Sequence, residues 1–330
     1  MKDSLVEFKK NIIAWYPINK KENVLYVGQD KEILAELNQK SEKVVSINKI
    51  DDYKIDTKFD YIVLIGNVES LETDDEVISL ISNAKKYLAR NGKILFTTSN
   101  KFGMKYFAGE KFENEADSFD SITKSKPNYL SMPKIKNILN NLKLNYKFYY
   151  PLPDYKITNV IYTDEYLPNK ENIDSRVLTF CENGEILNFS EREAYKQLIN
   201  EDKNMFPFFA NSFFVEISEG KKFADVKFVS YGVTRKKEYR IKTVIKDNEV
   251  EKTANSLEAR KHIENIAKNI DILKDCKIDC LDRIENGSII SKFIKDAKSY
   301  DKVLMEIYFK DGLNAVVEEI KKFEKDILFK

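Results

Sequence analysis

Asn23-Val-Leu-Tyr-Val-Gly28 and Phe59-Asp-Tyr-Ile-Val-Leu-Ile-Gly66 are two short, nearly continuous apolar runs, each closed by a glycine and followed by polar residues. That pattern predicts strands buried on both faces, as in a mostly parallel sheet covered by helices. In open α/β sheets a ligand sits in the crevice beyond the carboxyl ends of the strands, and the first strand-to-helix turn comes nearest to it. Gly28, Gln29 and Asp30 after the first run, with Gly66 and Asn67 after the second, are therefore the first candidates for ligand contact.

Working outward, Leu5 to Ala14 has helical spacing and is closed by Trp15-Tyr16-Pro17, and Lys31 to Gln39 reads as a helix after the first strand. Val44 to Ile47 is a second strand with Asn48 at its carboxyl end, and Val77 to Leu88 is a helix that Asn91-Gly92 turns into the strand Lys93 to Thr98. A helix at Pro133 to Leu142 and strand-like runs at Lys147 to Tyr150, Asn159 to Tyr162 and Ser212 to Ile217 complete a first domain, residues 1–218, with a polar insertion at about 163–205. Residues 219–330 change character. Alternating runs at Val226 to Tyr231, Tyr239 to Ile245 and Glu249 to Thr253, a helix from Leu257 capped by Ser256, and a hairpin meeting at Asn286-Gly287 predict a smaller α+β domain.

Composition narrows the function classes. The 330 residues carry 55 basic and 54 acidic side chains, a net charge of +1, so no global field points to nucleic acid or an anionic membrane. No secretory signal and no apolar run long enough to cross a bilayer is read, and the three cysteines suit a reducing compartment, so a cytoplasmic location is expected. Cys276 and Cys280 are too few ligands for structural zinc, and the single His262 lies in a helical pattern without a visible partner. Tyr149-Tyr150 and Phe206 to Phe209 could stack on sugars, but in a chain with 12% aromatics such clusters are usually core. Glu110, Asp117 and Asp120 could serve as a general base, or simply face water.

The order of Asn11-Ile-Ile-Ala-Trp-Tyr-Pro17, Val24-Leu-Tyr-Val-Gly28, Phe59 to Gly66 and Leu88-Ala-Arg-Asn-Gly-Lys-Ile-Leu-Phe96 resembles a class I S-adenosylmethionine-dependent methyltransferase. Asn100-Lys-Phe-Gly-Met-Lys-Tyr-Phe-Ala-Gly109, Phe148-Tyr-Tyr-Pro-Leu-Pro-Asp-Tyr-Lys156 and Phe209-Ala-Asn-Ser-Phe213 are similar to methyltransferase-like proteins encoded among bacterial surface-polysaccharide genes. The resemblance implies a Rossmann-like fold, S-adenosylmethionine as cofactor held by Gly28, Gln29, Asp30, Asn48, Asp51, Gly66 and Asn67, and a glycan or sugar-phosphate acceptor. Its alternative is a degenerate fold that serves as an adaptor or scaffold for a glycosyltransferase or other partner.

The residues test that implication. The backbone must approach the methionine part of the cofactor closely, which favours a glycine-rich turn, yet Gly28-Gln-Asp-Lys-Glu32 holds one glycine. An acid would hold the ribose hydroxyls after the second strand, but Asn48 stands there, leaving Asp51 or Asp52 to substitute. Only about ten residues separate Asn48 from Phe59, too few for a helix and a strand, so a reduced adenine pocket is expected. The last third resembles the amino-terminal lobe of a protein-kinase-like fold, with Lys252 in the phosphate-binding position and Glu258 or Glu264 as its helix partner. Tyr231-Gly232 offers one glycine in place of a glycine-rich loop and no His-Arg-Asp or Asp-Phe-Gly triplet follows, so no phosphotransferase activity is expected.

Overall fold

The computed structural model describes residues 8–52, 57–111, 117–126, 130–169, 173, 188–233, 235–254, 256–272, 281–285, 287–294 and 297–328. Cys276, Cys280, Asn286 and most of the insertion at 163–205 lie outside the described residues. The chain divides into two units, Met1–Ser230 and Tyr231–Lys330.

The first unit is built on β1 (Asn23–Val27), β2 (Lys43–Ile47), β3 (Phe59–Ile65), β4 (Leu88–Ser99), β5 (Asn145–Pro153), β6 (Thr158–Thr163), β7 (Ser212–Ser218) and β8 (Phe228–Tyr231). Their order across the sheet is β8-β6-β5-β7-β4-β3-β1-β2. β1 pairs in parallel with β2 on one side, Tyr26 opposite Ser46, and with β3 on the other, Tyr26 opposite Val63. The order reverses at β1, so the crevice between the ends of β1 and β3 is a topological switch point. β2 reaches β3 through residues 48–58, whose described part holds one 3-10 turn, Ile50–Asp52, and no further helix or strand.

The mostly parallel sheet expected for this unit is not what forms. Among the described residues, parallel pairing is confined to β2-β1-β3-β4. β7 runs antiparallel between β4 and β5, with Val215 opposite both Phe96 and Phe148. β5 and β6 are joined by the short connection at 154–157 and are therefore antiparallel, as are β6 and β8. Every residue of β6 and β7 is buried. An apolar run reports burial on both faces and says nothing of strand direction, so these strands carry the same signature as parallel ones.

Asn91-Gly92 also departs from its expected place. α3 (Asp74–Lys86), which follows α1 (Asn11–Ala14) and α2 (Lys31–Lys40), ends before β4 begins, and Asn91-Gly92 is a kink inside β4. There Phe59 pairs with Leu88 and Tyr61 with Lys93, so the extra residues bulge. Asn91 has φ +66°, and a Cβ at Gly92 would stand 2.9 Å from the carbonyl oxygen of Phe59. The position needs glycine because two backbones touch.

Trp15 and Tyr16 close the core against Tyr149, Phe214 and Tyr61, with ring centroids 4.8–5.8 Å apart. Beneath them lies Glu216 of β7, wholly buried. It pairs with Lys93 Nζ at 2.5 Å, accepts from Tyr149 Oη at 2.8 Å and takes the backbone N–H of Ala224 at 3.1 Å. Burial, and then the Glu216 charge, push the Tyr149 hydroxyl far above its ordinary pKa, so it stays a donor. One carboxylate thus holds three strands and the segment leading to β8.

The second unit pairs β9 (Ile241–Ile245), β10 (Glu249–Ala254), β12 (Ser288–Lys292) and β11 (Leu281–Glu285) in the antiparallel order β11-β12-β10-β9. A long helix, Leu257–Ile272, packs Ala259, Ile263 and Ala267 on Ile241, Ala254 and Ile289. Lys252 is exposed on β10, and among the described residues no ion pair joins it to Glu258 or Glu264, both exposed. Its neighbour Glu251 pairs instead with Lys246 at 2.9 Å. No helix of the described residues is long and apolar enough to cross a membrane.

Replacing Glu216 with Ala strips Lys93, Tyr149 and Ala224 of their common acceptor. Breaking a buried pair of this kind is expected to cost about 3–5 kcal/mol, read from the urea unfolding midpoint.

Candidate functional site

All the sequence candidates but Asp51 fall at the carboxyl ends of β1, β2 and β3, and their polar groups are largely engaged within the chain. Gln29 Nε2 donates to Asn48 Oδ1 at 2.5 Å, tying the two turns together. The Asp30 carboxylate is the N-cap of α2, accepting from Glu32 N at 3.0 Å and Ile33 N at 3.2 Å, and it also pairs with Lys9 at 3.1 Å. Gly66, at φ +75°, donates its N–H to Thr97 Oγ1, and Asn67 Nδ2 donates to the Val27 carbonyl at 3.0 Å. Asn67 therefore bridges the ends of β1 and β3, while its Oδ1 is enclosed without a hydrogen-bond partner. Asp51 is not brought to this group. It accepts from Asn83 in the last turn of α3, near the start of β4 and away from the strand ends.

The residue that shapes the crevice is one the sequence reading passed over. Tyr26, on β1, is 2% exposed, and its ring lies against Gly28: a Cβ at Gly28 would stand 2.6 Å from ring Cζ and from Oη. Its hydroxyl accepts from Asp30 N at 3.3 Å, and burial pushes its pKa up to about 12. Residues two apart on a strand share a face, so a tyrosine two places before the glycine is aimed over it. That was the available signal. Gly66 has a similar neighbour in Tyr155, whose Oη would stand 3.3 Å from a Cβ there and donates to Glu69 Oε1 at 2.6 Å.

S-adenosylmethionine requires backbone at Gly28 that a ligand can reach. Here a side chain of the same chain stands over that backbone, the capping acid is committed to its helix, and among the described side chains no carboxylate holds the ribose position; the side chain of Asp52 lies outside them. The residues present do not fit the cofactor.

Just beyond the ends of β4 and β5 lies a second cluster, in which Lys105, Asp154 and Asn211, one from each of the three motifs quoted above, meet Glu110, Glu191 and Tyr195 from outside them. α4 (Met104–Phe107) carries Lys105, 4% exposed, whose Nζ reaches Asp154 Oδ2 at 3.0 Å and Glu110 Oε1 at 3.6 Å. Asp154 turns β5 into β6 by accepting from Lys156 N and Ile157 N. Burial works to raise the Asp154 carboxyl, and the Lys105 ammonium overrides it and holds it below the usual range. Asn211 joins the rest: it accepts from Lys105 N at 2.9 Å and Tyr195 Oη at 3.1 Å, and donates to the Pro153 carbonyl at 2.9 Å and Glu191 Oε2 at 2.8 Å. α5 (Met132–Asn141) and α6 (Glu191–Asp202) follow in the chain, and Glu191 is the first residue of α6.

Of the general-base candidates, Glu110 belongs to this cluster, Asp120 pairs with Lys124 at 2.7 Å, and Asp117 is exposed. Tyr149, Tyr150 and Phe206 are core, with Tyr150 donating to Asp164 at 2.6 Å. His262 is half-buried on its helix, and among the described residues no group of acidic, histidine or cysteine side chains is placed to hold a metal ion. Lys105 sits among apolar neighbours, Met104 and Tyr106, which is the local signal that it is buried. Its partners lie too far along the chain to be read.

Around Lys105 one ammonium faces three carboxylates, and the balance falls on Glu191, whose carboxyl burial pushes up to about 7 from the ordinary 4.5. The Asn211 hydrogen bond and Lys105 oppose that rise, and Glu110 and Asp154 add to it. Because the folded chain holds this proton more tightly than the unfolded one, the stability it contributes is present below about 4.5 and is lost as pH rises through about 7. The loss should be roughly 3 kcal/mol at about 1.4 kcal/mol per unit. Glu191→Gln, which keeps the neutral form, should be the more stable of the two chains at about pH 8 and lose that part of the slope, as measured by urea unfolding at about pH 5 and 8. Parallel pH profiles for both chains would place the proton elsewhere.

No protein-family model matches the chain, and no curated protein matches it. Among solved structures it is similar to an S-adenosylmethionine-dependent methyltransferase from Archaeoglobus fulgidus, at 14% identity over 66% of this chain and 94% of that one, TM-score 0.38. It is also similar to a cyclopropane-fatty-acyl-phospholipid synthase-like protein from Lactobacillus casei, at 10% identity over 65% of this chain and 90% of that one, TM-score 0.33. A third is phosphoethanolamine N-methyltransferase 1 of Haemonchus contortus in complex with phosphoethanolamine and S-adenosylhomocysteine, at 10% identity over 67% of this chain and 44% of that one, TM-score 0.36.

Proposed function

We propose that the first unit is a methyltransferase-like domain of bacterial cell-surface glycan assembly that has lost its cofactor site and works as an adaptor, holding a glycosyltransferase or other partner. The observation that supports this most directly is the Tyr26 ring on Gly28. A catalytic domain of this kind needs that glycine open, and its closure leaves the fold without the group that would supply the chemistry. The three motifs that resemble surface-polysaccharide proteins support the setting, since Lys105, Asp154 and Asn211, one from each, meet in one buried polar cluster.

The test is titration calorimetry with S-adenosylhomocysteine. The adaptor reading expects a dissociation constant on the order of 100 μM or weaker, equivalent to about 5.5 kcal/mol or less. Tyr26→Ala, which uncovers Gly28, should bind more tightly than the natural chain. Micromolar affinity in the natural chain would overturn the reading and favour methyl transfer to a glycan or sugar-phosphate hydroxyl.

A further inference from the structure

Glu191 stands where buried charge is least balanced. Among the described residues, the Lys105 ammonium meets Asp154 at 3.0 Å and Glu110 at 3.6 Å, while Glu191 receives the neutral amide of Asn211 at 2.8 Å. All four ionisable side chains belong to residues 2–8% exposed. One ammonium does not offset three carboxylates in so dry a place, so one of them keeps a proton. Asp154 is held ionised by two backbone N–H groups and by Lys156 as well as Lys105. The elements packed on α6 present to Glu191 the Lys105 ammonium of α4, Glu110 just after it and Asp154 of the β5–β6 turn. On its own helix Tyr195 lies one turn on, Arg192 is about 100° round the axis, and Glu193 pairs with Lys196 at 3.1 Å. Beyond the helix Lys203 is exposed and Phe206–Phe209 carries no charge.

The helix that carries this carboxyl is lightly held. Of its 12 residues Glu191, Tyr195 and Ile199 are buried, a single stripe at spacings of four. Tyr195 donates to the Phe209 carbonyl at 2.9 Å, reaches Asn211 Oδ1 at 3.1 Å and sets its ring 5.3 Å from that of Phe206. One anchor of three is therefore titratable. β7, by contrast, pairs with β4 and β5 and is pinned again at Glu216. Elements with few buried anchors open at a lower free energy than the whole domain. When α6 lifts, water replaces the two bonds it makes to Asn211, so the amide is not left buried and unpaired.

We propose that Glu191 is a pH-sensitive latch: ionisation of its carboxyl releases α6 from Asn211 while the sheet stays folded. Docked, Glu191 keeps its proton up to about 7, against an ordinary 4.5, so the docked helix is favoured below that value and opening grows as pH rises through it. Between about pH 6 and about pH 8 the opening equilibrium should rise about tenfold. Hydrogen exchange of the full chain, read by mass spectrometry at those two values and corrected for the pH dependence of the exchange chemistry, should show that rise in peptides from α6 and none in β4 or β7. Glu191→Gln, which keeps an acceptor for Asn211 and does not ionise, should abolish the rise. Tyr195→Phe removes the other polar anchor and should open α6 further at both values while leaving the ratio between them in place. Protection of α6 that is the same at both values, a loss shared equally by β4 and β7, or a Glu191→Gln chain that opens like the natural one would each overturn the proposal.

Discussion

The first unit depends on the way one amide satisfies itself. Asn211 uses both donors and two acceptor positions, and its four partners come from three segments far apart in the chain: Lys105 on α4, Pro153 at the end of β5, and Glu191 and Tyr195 on α6. A buried amide left half-satisfied is costly, so these bonds are made together or not at all. They fix the start of β7 against the end of β5, set α4 over the strand ends and anchor the first residue of α6. The ion pair of Lys105 with Asp154 then follows, because the backbone that carries Lys105 is already held. Further along β7 itself Glu216 plays the corresponding part, so this antiparallel strand is pinned near both of its ends.

How much of this could be read in the sequence depended on the range of the interactions. The strands at Asn23–Val27 and Phe59–Ile65 were legible because their burial is written in consecutive residues. The short passage from Asn48 to Phe59 was legible because chain length alone limits what fits there. Strand direction from β5 onward was not, since it depends on where β7 inserts. Asn91-Gly92 was read as a turn because that dipeptide is common in turns, whereas here it serves a bulge against Phe59. Tyr26 was within reach from its two-residue offset to Gly28. Lys105 and Asp154 were not, being 49 positions apart, although each stood inside a quoted motif.

At the switch point the chain supplies its own occupants. Tyr26 lies on Gly28 and Tyr155 on Gly66, the two glycines where a strand-end ligand would come closest to the backbone. Both rings are almost wholly buried, so the crevice is packed as core rather than kept as a site. Apolar ring surface placed there stabilises the fold by excluding water, on the order of 2 kcal/mol per fully buried side chain. A ligand would have to displace it. On the proposed adaptor reading the binding function is lost while the sheet, the helix cap at Asp30 and the cluster around Asn211 remain intact.

The most direct measurement of this account is a crystal structure of the natural chain grown with millimolar S-adenosylhomocysteine. The account predicts the Tyr26 ring in place against Gly28, with its hydroxyl near the Asp30 amide and no ligand between β1 and β3. Ligand seated on Gly28, with Tyr26 swung out of the crevice, would contradict it.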